Sequence, residues 1–177
     1  MGIAYANLDD ATRGCMAEES ALGGHYISPR LTPSGAAAWV PLLDSAIASH
    51  DDDWLAAEIQ RRGMMSTQEN YTTKTGKSAW RNINIPHSAQ MLAEGEFNRF
   101  YLRGLCLRAQ RAGIPHLVIY RGRASSRPRP ESEAKIGTLI AVDTLLAALR
   151  RNDFVSIEET ALGVPGGPNS GLTARLP

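Results

Sequence analysis

Cysteine is nearly absent. The 177-residue chain has two, Cys15 and Cys106, which excludes a disulfide scaffold. Lysine is almost as rare: of 19 basic residues only Lys74, Lys77 and Lys135 are not arginine. No apolar run approaches the roughly 18 residues that cross a bilayer, so no membrane-spanning helix is expected. The first 30 residues lack a basic start followed by an apolar stretch, so no secretory signal is expected. Met1-Gly2 opens like a myristoylation site, but Ala6 stands where Ser or Thr is needed. His25, His50, His87 and His116 sit at no zinc spacing with one another or with a cysteine, and neither a metal nor a cofactor is expected. Between Phe97 and Pro130 there is no acid at all, only eight arginines.

What is present fits one soluble domain: 19.2 kDa, 43% apolar and 21% charged residues. The net charge of +1 hides a segregation. Residues 1–60 carry two arginines against nine acids, a balance of −7. Residues 61–130 carry 13 basic residues against Glu69, Glu94 and Glu96, a balance of +10. Residues 131–177 return to −2. Such asymmetry points to an anionic partner or to two self-complementary surfaces.

Residues 1–30 have no clean period and read as an extended arm with one short helix. Thr32-Pro33 gives a helix start, cap then first helical position, followed by Trp39, Leu42, Leu43, Ala46 and Ile47 at helical spacing. Asp51 opens a second helix with Trp54, Leu55 and Ile59 on its apolar side, and Gly63 stops it. The two form a helical hairpin. A β-hairpin is expected from Thr67–Thr73 and Ser78–Ile85 around Lys74-Thr75-Gly76-Lys77, with Pro86 ending it. A long helix is expected from about Ser88 to Ala112, closed by Gly113, with Gly95 and Gly104 marking close contacts. Leu117–Tyr120 is the best strand, Ser125–Pro130 an exposed loop, and Val142–Arg150 a short helix. Phe154–Ile157 reads as a last strand, and Gly163–Pro177 as a tail without helical or strand period. The expected architecture is α+β: an N-terminal helical hairpin and a small mixed or antiparallel sheet with one long helix packed on it. The expected divisions are an arm over 1–30, a single domain over 31–160 and a Gly/Pro-rich arm over 161–177.

Catalytic motifs fail on spacing. Gly76-Lys77-Ser78 resembles the end of a phosphate-binding loop, but the motif's first glycine would fall at Tyr71. Glu94 and Glu96, two apart on a helix, point about 200° from each other and cannot act as a carboxylate pair. Glu96 instead shares a face with Arg99 and Arg103 and is expected to form ion pairs there. Asp51–Asp53 reads as a helix start rather than a cation site, and Cys106 as a buried helical cysteine. No catalytic residue is assigned.

The positive signal is the arginine set. Arg99, Arg103, Arg108 and Arg111 ride the long helix, and Arg121, Arg123, Arg127 and Arg129 follow on the strand end and loop. All eight are expected to meet carboxylates of a partner or phosphates, or, for some of them, acids of the −7 N-terminal region within the chain or across subunits, with Tyr101, Tyr120 and Trp80 available to stack on bases. The stretch Leu92–Cys106 (LAEGEFNRFYLRGLC), followed by Tyr120-Arg121 and by Arg129–Gly137 (RPESEAKIG), resembles small proteins encoded among the virion genes of tailed phages and prophages. The likeness covers about residues 78–150 and carries no catalytic residues. It implies a capsid-associated, decoration or connector component in the virion or the cytoplasm. The expected function is therefore non-enzymatic assembly with a second copy or a shell protein. The alternative is an arginine-rich nucleic-acid-binding module.

Overall fold

The computed structural model describes residues 2–125, 128–151 and 171–177. Local signals set its helix ends. Thr32 caps α2 (Pro33–Ser49), its hydroxyl accepting from the Gly35 amide at 3.0 Å. Asp51 caps α3 (Asp52–Arg61) through the Trp54 amide at 2.9 Å. Asp9 does the same for α1 (Asp10–Ala21) through Thr12. Gly63, with φ +60°, and Gly113, with φ +67°, turn the chain out of α3 and of α4 (Ile85–Arg111). Here α4 starts three residues before the expected Ser88. Asn84 caps it through the His87 amide, and Pro86 falls inside its first turn, where a missing N–H costs nothing, instead of ending a strand.

The fold is α+β, as expected. Among the described residues it has six helices and two small antiparallel sheets. β1 (Gln68–Thr72) pairs with β2 (Ser78–Asn82), Asn70 opposite Trp80. The second sheet has the order β4-β3-β5, made of β4 (Leu139–Ala141), β3 (His116–Arg121) and β5 (Leu172–Arg175). Between these strands lie α5 (Pro130–Glu133) and α6 (Val142–Arg150). β3 is central, with Leu117 opposite Ile140 on one side and Ile119 opposite Ala174 on the other.

α4 is the hub. α1, α3 and α6 all pack on it, and every residue from Arg99 to Cys106 is buried. Phe97, Phe100, Tyr101 and Leu105 join Trp39, Leu43, Leu55, Ile59 and Leu145 in one continuous core. The close contact expected at Gly104 is present: a Cβ there would lie 2.7 Å from the Met16 backbone nitrogen.

The ends of the chain differ from their sequence pattern. The short helix expected in the first 30 residues is α1, a full three turns whose Met16 lies in the core. Residues before it run along the sheet: Ala4 donates to the Gly122 carbonyl, and the Tyr120 and Tyr101 hydroxyls accept from Ala6 and Asn7. The Gly/Pro-rich tail ends in β5, which has too few residues to show a strand period and takes its conformation from pairing with β3. The expected Phe154–Ile157 strand lies outside the described residues.

Candidate functional site

Arg99 and Arg103 face inward. Arg99 is 4% exposed and grips Glu96 in a two-pronged pair, Nε to Oε1 and Nη2 to Oε2, both 2.8 Å. Arg103, 2% exposed, does not join that pair; it donates from Nε to Glu19 Oε2 at 3.0 Å. Both also tie down the turn after α1: Arg99 donates to the Gly24 carbonyl and Arg103 to the Gly23 carbonyl, while Glu96 accepts from the Tyr26 amide. Arg108 donates to both Asp9 carboxylate oxygens and to the Thr12 hydroxyl, and Arg111 grips Glu18. Arg121 pairs with Glu133 at 2.6 Å and Arg123 with Glu94 at 2.9 Å. Arg129 precedes α5, and Arg127 lies outside the described residues.

The acidic first 60 residues are thus the counterpart of the basic helix within the chain: Asp9, Glu18 and Glu19 from α1 and its cap meet Arg108, Arg111 and Arg103 of α4. Glu94 and Glu96 diverge to different partners, as helical spacing requires. For Arg99 and Arg103 a role on an outside partner is corrected. They are spent inside because the helix carrying them is covered on all sides, and a buried charge is tolerated only when paired.

Electrostatics follow burial and pairing. Burial pushes the Glu19 carboxyl up, but its bonds to Arg150 and Arg103 outweigh it and hold the group below the usual carboxylate range. Burial pushes Arg103 down, with Glu19 pulling back. The hydrogen bond from Arg108 lowers Asp9, and that from Arg111 lowers Glu18. Glu94 rises through burial, against the pull of Arg123. Cys106 is fully buried and its thiol is pushed up to about 12, so it is no nucleophile.

The exposed chemistry lies on the β1–β2 hairpin. Of the three aromatics proposed to stack, Tyr101 is buried and Tyr120 is half-buried, its hydroxyl bonded to Ala4 and Ala6. Trp80 stands 68% exposed. Cross-strand partners share a face, so Trp80 lies among Gln68, Asn70, Thr72, Ser78 and Asn82, none of them charged. The opposite face holds Glu69, which accepts from Arg81 at 2.6 Å and from Arg30 at 2.7 Å. Arg30 also donates to Ser88 of α4, so this bridge anchors the hairpin to the body. Lys74 and Lys77 flank the tip, where Gly76 has φ +79°. A hairpin with no continuous apolar side is the signal in the sequence that this element projects.

Two polar groupings were missed in the sequence. Ser20, His25 and Asp44 come together between α1 and α2. Asp52, 3% exposed, accepts from the Ile3 amide at 3.2 Å, and its other oxygen and the Tyr5 hydroxyl are buried without a hydrogen-bond partner among the described residues. Both are assembled from distant segments and carry no local motif. No family model, curated protein or solved structure matches the chain.

Proposed function

We propose that the chain is a non-enzymatic structural protein that acts by assembly, docking on another protein surface through the β1–β2 hairpin. The single observation that carries this reading is Trp80, 68% exposed at the centre of an uncharged ribbon face. A lone two-stranded ribbon is marginal in water, and among the described residues each of its strands keeps one unpaired edge. A partner strand can add to that edge by main-chain hydrogen bonds, with tryptophan as the buried anchor. The likeness to phage virion proteins supports a shell protein or a second copy as that partner, and so a capsid-associated place.

The arginines lend the nucleic-acid alternative little support. Six of the eight hold carboxylates of their own chain, and Trp80's face offers no cation to phosphate. Light scattering of the protein, alone and with a shell protein, is the test. The expected result is an oligomer or a complex that Trp80→Ser dissolves without changing the melting midpoint. A strict monomer that ignores the shell protein overturns the reading. Salt-dependent binding of single-stranded DNA at about 50 mM salt, lost in Trp80→Ser, would replace it with the nucleic-acid one.

A further inference from the structure

A cavity of about 480 Å³ opens between the C-terminal half of α1, the turn at Gly23–His25 and the middle of α2. Its walls are small and apolar: Ala17, Ala21, Val40 and Ala48. Its polar part is the trio Ser20, His25 and Asp44. Ser20 Oγ lies 2.6 Å from Asp44 Oδ1 and 2.9 Å from His25 Nε2.

The proton count of this trio is fixed by its members. A carboxylate only accepts, so the one hydroxyl proton of Ser20 goes to Asp44. His25 Nε2 must then carry a proton and donate it to Ser20 Oγ. This is not the order of a serine hydrolase, in which imidazole stands between hydroxyl and carboxylate and takes the hydroxyl's proton. Here the hydroxyl stands in the middle, its proton already committed. Burial lowers the affinity of His25 for a second proton, against the pull of Asp44 and Glu96, and its ring stacks on Phe100 at 5.0 Å. The donors of the trio are therefore used within it, and what it offers the cavity is acceptors: the remaining carboxylate oxygen of Asp44 and the second lone pair of Ser20.

Charge decides what fits. Asp44 is held by the Ser20 hydroxyl and by no cationic side chain among the described residues. Arg99 and Arg103 pass close by, but each is committed to Glu96 or Glu19 and to a backbone carbonyl. Asp44 is exposed at the mouth of the cavity, so its charge is already solvated; a neutral polar ligand would satisfy the acceptors but gain no attraction from that charge, and an anion would be repelled. A ligand with N–H donors, one positive charge and a small apolar body meets all three conditions. We propose that this cavity is a binding site for a small primary ammonium compound, its nitrogen on Asp44 and Ser20 and its hydrocarbon part against Ala21 and Ala48.

Benzylamine, with benzyl alcohol and benzoate as its neutral and anionic counterparts, is the probe. Titrations of the full chain at pH 7 follow the His25 imidazole resonances by NMR. Benzylamine is expected to saturate with a Kd on the order of 1 mM. Benzyl alcohol should bind about tenfold more weakly, and benzoate should give no saturable shift. Asp44→Asn should lose about tenfold in benzylamine affinity. Ala21→Leu, at an exposed rim position that tolerates the change, should narrow the slot and abolish binding even if Asp44→Asn proves unstable. Equal binding of amine and alcohol, an unchanged affinity in either variant, or no saturable shift at all would refute the site.

Discussion

Glu19 shows how much one residue's surroundings decide. It is fully buried, and its carboxylate joins Arg103 and Arg150 while the Arg103 guanidinium also holds the Glu19 carbonyl. Removing the Glu19 carboxylate leaves the Arg103 guanidinium, buried and charged, with only the Gly23 and Glu19 carbonyls to hold it. Glu19→Ala is therefore expected to cost about 3–5 kcal/mol in urea unfolding. Arg111→Ala removes a pair of the same chemistry, Glu18 with Arg111, from the solvent-exposed side, where screening and side-chain entropy consume the gain. Its midpoint should match the wild type. If both variants unfold at the same urea concentration, the internal clamp has no energetic content.

At the scale of elements, the α1–α4 crossing is set by glycine. Gly104 lets the two backbones approach so closely that an added Cβ would stand 2.7 Å from the Met16 nitrogen and 2.9 Å from its Cα. Neither backbone atom can swing aside as a side chain does. Gly104→Ala is expected to destabilise by about 1–3 kcal/mol despite its better helix propensity. Gly14, in the interior of α1, has nothing within 4 Å of its own Cβ position. Gly14→Ala should therefore stabilise by about 0.5–1 kcal/mol. Equal shifts of the same sign in thermal melts would show that propensity, not packing, governs both positions. The hairpin is the opposite kind of element, held to the body through the Arg30–Glu69 pair and otherwise open to solvent.

For the whole molecule, acid stability is a balance of opposite signs. Asp9, Glu18, Glu19, Glu58 and Glu69 are all held below their ordinary range by arginine partners. Their stabilisation is present above that range and is lost as pH falls through their lowered values. Asp52 works the other way. Burial raises it from 3.8 to about 6, with Asp53 and Glu94 adding and the Ile3 amide opposing. The folded state binds its proton more tightly, so this contribution is full below about 4 and disappears as pH rises through about 6, a difference of about 3 kcal/mol. Asp52→Asn keeps an acceptor for Ile3 and removes the titration. Its stability relative to wild type should climb between pH 4 and 6 and level off about 1–2 kcal/mol higher at pH 7.5, after the loss of a first-turn acid on α3. A difference between the two proteins that stays flat with pH would show that Asp52 does not titrate in this range.

Much of the local structure was readable along the chain. Thr32, Asp51, Gly63, Gly76 and Gly113 act on their immediate neighbours, through a cap or a positive φ, and each stands where the sequence put it. The α+β class followed from the same local signals. The arginines were a different matter. An uninterrupted basic segment reads as a solvent-facing surface only if the helix that carries it has an outside, and α4 has almost none between Arg99 and Cys106. That depends on α1, α3 and α6 arriving around it from distant parts of the chain. The charge totals of the three segments were already in the sequence. Which carboxylate each guanidinium meets, which aromatic is left outside, and how Ser20, His25 and Asp44 share one proton were decided by tertiary packing, because desolvation and hydrogen-bond geometry act between side chains that only the fold brings together.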